Sequence, residues 1–181
     1  GLGGSSAIIT AVMRALSRFY NAPIPRDILP NVVLAAETEE LQLSAGLQDR
    51  VVQAYGGAVY MDFDKEYMER RGYWQYERLD RTALPPLSMA YWPEAGQVSG
   101  KTDDRVRERY ELGEEKVVET MERIAALTDD AREALQNEHH DALPDILNRN
   151  FDLRARIYSI DEHDRDMVEK ARHVGASAKL C

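Results

Sequence analysis

The sequence predicts an α+β chain in two parts. Apolar residues recur at helical spacing along most of the 181 residues. Two short runs, 58–63 and 73–79, read as strands instead, the first set off by Gly56-Gly57. Leu84-Pro85-Pro86-Leu87 then interrupts both kinds of regular structure and marks the candidate boundary. A chain of this length can bury one large core or two small ones.

Taken in order, Gly1-Leu2-Gly3-Gly4-Ser5-Ser6-Ala7 is a glycine-rich turn running into a helix expected over 6–20. Ala7, Ile8, Ala11, Val12, Ala15, Leu16 and Phe19 are the apolar positions of that helix. Pro23 and Pro25 end it, because neither can donate to a helical ladder. A second helix is expected over 26–42 with Val32, Val33, Ala36 and Leu41 on its buried side. Ser44-Ala45-Gly46 breaks it, a short helix follows over 48–54, and Gly56-Gly57 allows the turn into the first strand. Beyond the prolines the sequence predicts a strand over 87–92 and a polar, glycine-containing mobile loop over 96–105. Helices follow over 106–126, 129–142, 145–156 and 162–174. Val117, Val118, Met121, Ile124, Ala125 and Leu127 supply one apolar stripe along the first two. Gly175 stops the last, and 176–181 looks like the start of another strand.

Composition narrows the partners. A net charge of -9, with no basic stripe interleaved with aromatics, argues against nucleic acid or an anionic bilayer as the main partner. No apolar run approaches the roughly 20 residues of a membrane span. The single cysteine, Cys181, excludes an internal disulfide and points to the cytosol. The sequence says nothing of oligomeric state.

The opening turn is suited to phosphate. Glycines let backbone N–H groups approach an anion, the helix N-terminus points its dipole at it, and serine hydroxyls can donate to phosphate or ligate magnesium. The turn lacks the Gly-Lys-Ser/Thr step of a Walker loop and the spacing of a dinucleotide fingerprint. By itself it is also what a tight turn with capping serines looks like. Its companions are the acidic run Glu37-Thr38-Glu39-Glu40 and Ala45-Gly46-Leu47-Gln48-Asp49-Arg50.

With those companions, Gly-Leu-Gly-Gly-Ser-Ser-Ala resembles the phosphate-binding motif of the GHMP kinases. Residues 45–63, Gly100-Lys101, 149–154 and 171–179 are similar to the glucuronokinase branch of that superfamily, so the resemblance touches nearly the whole chain. It implies a two-lobed α+β fold with the active site between the lobes. Residues 1–84 would be the remainder of an ATP-binding first lobe, similar to the second domain of ribosomal protein S5. Residues 85–181 would be most of a ferredoxin-like second lobe. It implies ATP and Mg2+ as cofactors and a uronic acid, D-glucuronate, as the small-molecule substrate. Gly1, Leu2, Gly3, Gly4, Ser5, Ser6 and Ala7 would hold the ATP phosphates, with Ser5 donating to phosphate and Ser6 ligating Mg2+. Glu37 best fits the second metal ligand, with Glu39 and Glu40 as rivals. Asp49 would take the position of the catalytic aspartate, as base or orienting group. Arg50 beside it could pair with a sugar carboxylate through its two-pronged donor face.

Each residue also has a plainer reading. The glutamates sit in a charge run that could be a solvated face, and Asp49 could cap its helix or pair with Arg50. His139-His140 reads as surface histidine, since neighbours on a helix point about 100° apart. Trp74, Tyr76, Tyr91 and Trp92 read as core or interface aromatics before a nucleotide-stacking box. Lys101 could face solvent or substrate, Arg149 or Arg154 could face the pocket, and Lys179 could help position phosphate. The loop at 96–105 could close over substrate. Against the family pattern, the strand before the phosphate loop and the third glycine-rich motif are missing. The scaffold therefore reads as cut at both ends, and these 181 residues alone are expected to be inactive. Rival functions are a GHMP kinase acting on a heptose phosphate or neutral sugar, and a catalytically silent interaction protein of the same fold.

Overall fold

The computed structural model describes the backbone at residues 3–43, 45–91 and 100–180, and the side chains of all of these except 100–104. It divides into two compact units, Gly1–Thr82 and Ala83–Cys181.

The first unit is α+β. Helix α1 (Gly4–Phe19) is followed by α2 (Leu29–Ala35), which widens into a π turn at Ala36–Glu40 and is succeeded by α3 (Gln48–Tyr55). Strands β1 (Ala58–Asp62) and β2 (Gln75–Leu79) pair antiparallel, Ala58 opposite Leu79 and Asp62 opposite Gln75. Between them lies α4 (Lys65–Arg71), a helix that its weak apolar pattern does not announce. Asp64 caps it by accepting from the Tyr67 N–H at 2.7 Å, and Gly72 ends it at φ +79°.

The core of this unit is Leu29, Val33 and Ala54, with Ile9, Met13, Ile24 and Tyr55 packed on it. This corrects the expected face of α1. Ile8, Val12, Leu16 and Phe19 are exposed, while Ser6 and Thr10 are buried beside Ile9 and Met13. Two apolar rows exist on this helix, and the hydroxyl-bearing face is turned inward because α3 supplies partners for those hydroxyls. Leu41 is corrected too: at 57 % exposure it lies outside, because the wide turn advances the chain less per residue and carries it off the Leu29–Val33 row.

Trp74 and Tyr76 are aromatics of this unit, edge-on to Phe63 at 5.8 Å and to Tyr55 at 5.5 Å. Burial and a hydrogen bond donated to Asp27 push the Tyr55 phenol well above the ordinary tyrosine range, and burial pushes Tyr76 up to about 12. Both folded values lie above the unfolded one, so the stabilisation is fully present below pH about 10 and is lost as pH rises through the folded values. An absorbance titration should show two of the nine tyrosines ionising last, together with alkaline unfolding. Replacing Tyr55 by Phe should remove one of those two late transitions.

The second unit is helical among the described residues: α5 (Gly100–Glu111), α6 (Glu115–Gln136), a 3-10 turn at His140–Ala142, α7 (Leu143–Ile157) and α8 (Glu162–His173). Helices α6 and α7 bury Leu127, Ala134, Leu143, Ile146 and Leu153 together, and Val106, Val117 and Ile157 join α5 to both. Arg172 ties α8 to α7 through Asn148 and Asp152.

Two strand expectations fail here. Residues 87–91 form no strand and leave Leu87, Met89 and Tyr91 exposed; the rest of that run, Trp92, lies outside the described residues. Residues 176–180 form none either, and Cys181 lies outside. Neither run meets a partner strand among the described residues, and an unpaired strand leaves its backbone groups without a ladder. Of the loop expected over 96–105, residues 96–99 lie outside the described residues and 100–105 begin α5 instead.

Candidate active site

The site is built where α1 and α3 meet. Gly3 takes the left-handed conformation, φ +64°, just before α1. Gly4, Ser5 and Ser6 then open the helix, where backbone N–H groups have no carbonyl one turn earlier to donate to. No acidic residue stands in this first turn to offset the dipole from within the helix. Gly1 and Leu2 lie outside the described residues; Ala7 is exposed and its N–H closes the first turn onto the Gly3 carbonyl at 3.0 Å.

Asp49 comes to this turn from the far side of the sequence. A Cβ built on Gly3 would meet Asp49 Oδ2 at 3.0 Å and Gln53 Nε2 at 3.1 Å, so a side chain there would press both back by a few tenths of an ångström, on top of the strain of its left-handed backbone. The Asp49 carboxylate is 56 % exposed and its nearest cationic nitrogen, on Arg50, is 3.8 Å away. It is open to a ligand lying on the loop.

Of the three glutamates, Glu37 alone is buried, at 1 % exposure, whereas Glu39 and Glu40 face solvent. Leu29, Val33 and Glu37 fall four residues apart, so this carboxylate stands on the buried row of α2. One oxygen accepts from Ser5 Oγ at 3.1 Å and the other from Arg50 Nε at 2.6 Å, reinforced by an Arg50 NH2 contact.

Arg50 is therefore placed differently from expectation. Its guanidinium is 6 % exposed, paired with Glu37, and donates through NH1 to the Gly46 carbonyl at 2.6 Å. Its Nε and NH2 face is thus taken by Glu37, and the residue is buried rather than presented to a sugar carboxylate.

The two serines have different partners. Ser6 Oγ donates to the Gly3 carbonyl at 2.9 Å and accepts from Gln53 Nε2 at 2.8 Å, so its proton is committed inside the protein. Ser5 is the serine facing Glu37. Neighbouring oxygen ligands of an octahedral magnesium ion lie about 2.9 Å apart, given bonds of about 2.05 Å. The Ser5–Glu37 oxygen pair, at 3.1 Å, fits that edge.

Residues 1–57 match the family of GHMP kinases N terminal domains. The chain is 43% identical to Glucuronokinase 1 of Arabidopsis thaliana over 185 residues, which cover 99% of this chain and 51% of that protein. The chain thus carries a GHMP kinases N terminal domain over residues 1–57. Probable glucuronokinase 2 of the same plant is also 43% identical, over 99% of this chain and 50% of its own length. The D-glycero-alpha-D-manno-heptose 7-phosphate kinase of Campylobacter jejuni is 25% identical over 91% of this chain and 48% of its own. The chain thus spans about half the length of the curated relatives it matches. No solved structure gives a significant match.

Within the matched domain, the sequence pattern did not single out Gln53 and Thr10. Gln53 Oε1 accepts from Thr10 Oγ1 at 3.1 Å, and its Nε2 donates to the Gly3 carbonyl at 2.9 Å as well as to Ser6. The available signal was spacing: Gln53 follows Asp49 by four residues and so shares its helix face.

The candidates in the second unit stand in surface settings. His139 and His140 are exposed, and His139 borders an open cleft of about 310 Å3 with Asp130, Glu133, Asp145 and Arg149. Arg149 pairs with Asp145 at 3.4 Å, Arg154 lies over the Tyr158 ring at 5.1 Å, and Lys179 Nζ donates to the Leu180 carbonyl at 2.6 Å. Among the described residues no three His, Cys, Asp or Glu side chains come together to hold a metal, and no helix is long and apolar enough to cross a membrane. The side chain of Lys101 lies outside the described residues.

Proposed function

We propose that the protein carrying this chain is an ATP-dependent kinase that phosphorylates the anomeric hydroxyl of a uronic acid, converting D-glucuronate to glucuronate 1-phosphate. The observation carrying this reading is the place of Asp49 beside Gly3, which sets an open carboxylate next to a phosphate-suited turn. In the transfer the sugar oxygen bonds to the γ-phosphorus, the bond to the leaving ADP breaks, and the hydroxyl proton needs an acceptor. The Gly1–Ala7 turn holds the ATP phosphates through the backbone N–H groups that the start of α1 leaves without a carbonyl, and Asp49 orients the hydroxyl or takes its proton. Glu37 and Ser5 would hold Mg2+, with Ser6 as the second-best hydroxyl, and a bound ion would supply neutralisation of the charge on the transferred group. Arg50 acts as the counter-ion of Glu37.

Around this site we read the two-lobed fold of the superfamily, an S5-like lobe through residue 84 and a ferredoxin-like lobe beyond it, working in the cytosol. The names of the two relatives at 43% identity favour a uronic acid. A heptose phosphate is the second reading, on the strength of the relative from Campylobacter jejuni.

The test is magnesium-ATP-dependent phosphorylation by the full polypeptide, offered glucuronate, galacturonate, galactose and a heptose phosphate side by side. Selective turnover of glucuronate is expected. Turnover of another sugar would keep the mechanism and discard the substrate. Absence of ATP binding would favour a silent interaction protein of this fold.

A further inference from the structure

We propose that Gln53 is the positioning residue of this site: its carboxamide ties the glycine turn to α3 and so sets the place of Asp49 relative to the loop. The inference rests on the kinase reading above and adds to it the tie that lies between the turn and Asp49.

Helix α1 carries the turn and α3 carries the carboxylate, and the segment joining them runs through α2 and its wide turn. Their mutual position at the turn is fixed by side chains. Gln53 uses both hydrogens of its amide nitrogen there, one on the Gly3 carbonyl at 2.9 Å and one on Ser6 Oγ at 2.8 Å. Its oxygen accepts from Thr10 Oγ1 at 3.1 Å. The carbonyl of Gly3 can only accept, so the amino end of the carboxamide must face it and the orientation is unambiguous. Asp49 lies one helical turn earlier on the same face, and both side chains approach Gly3 to the same closeness. Any shift of Gln53 against Gly3 moves Asp49 with it.

Glutamate has nearly the shape of glutamine but no N–H to offer. Gln53→Glu sets a carboxylate oxygen against the Gly3 carbonyl and a second negative charge one turn from Asp49. Gln53→Met keeps the volume and removes all three bonds. Reacting groups misplaced by about 1 Å lose about 10²-fold in rate.

The experiment uses the full polypeptide with both variants. It combines steady-state kinetics, the stoichiometry of ATP binding, and amide hydrogen exchange at residues 4–7. Both variants should bind one ATP per chain with KM for ATP within about threefold of wild type, lose about 10²-fold in kcat, and exchange faster at residues 4–7. A residue of purely structural importance would instead lower kcat only in proportion to the chains that no longer bind ATP. The inference is overturned if Gln53→Glu keeps kcat within twofold, or if exchange at 4–7 is unchanged in both variants. A wild-type protein that phosphorylates no sugar would count against the kinase reading alone, and the exchange data would still decide the tie.

Discussion

Replacing Asp49 by asparagine should lower kcat by about 10²–10⁴-fold, the range typical of a lost acid–base group. Asparagine preserves the shape that fits against Gly3 but neither accepts a proton nor carries the charge. The Asp49 side chain is more than half exposed and 3.8 Å from Arg50, so no buried network depends on it. The fold and the affinity for ATP should accordingly survive, and the loss should fall on kcat. Single-turnover kinetics beside an ATP-binding titration separate the two. Normal ATP binding with full turnover would remove Asp49 from both roles assigned to it.

Removing Arg50 should cost the most stability. Arg50→Ala leaves the Glu37 carboxylate buried without its cation, a loss of about 3–5 kcal/mol when a buried pair is broken from one side. For a unit of this size each kcal/mol moves Tm by about 4–8 °C, so the variant should melt well over 10 °C below wild type. Combining it with Glu37→Gln should recover much of the loss, because the stranded charge is gone. That double variant should still fail to turn over sugar. Thermal melts of the two single variants and the double variant give the coupling directly. A drop below about 1 kcal/mol in Arg50→Ala would mean that water reaches Glu37.

These two residues also show how far the sequence could be read. The glycine turn, the short helix bearing Asp49 and the two strands at 58–63 and 73–79 announce themselves through local chemistry and periodicity. Burial separates Glu37 from its neighbours, and its place four residues beyond Val33 was there to be noticed. Pairings across the chain were not legible. Glu37 takes Ser5 from 32 positions away and Arg50 from 13, and nothing local distinguishes those partners from Ser6 or a substrate carboxylate. The face of α1 was misread for a related reason. Periodicity finds apolar rows, but which row turns inward depends on what the opposing helix offers, and Gln53 offers hydrogen bonds. The strands expected at 87–92 and 176–181 were read from composition, whereas a strand exists only with a partner.

Helix α1 holds the last turn of α3 from two places along its own length. Its N-terminal turn meets Gln53, and Arg14 NH2 donates to the carbonyls of Gln53 and Ala54 at 3.0 and 3.1 Å, where α3 is about to end. The covalent route between the helices therefore has little say in their spacing. One or two residues inserted at the Asn21 bend should leave the loop and its carboxylate where they are, so this part of the protein can change in length without re-forming its chemistry.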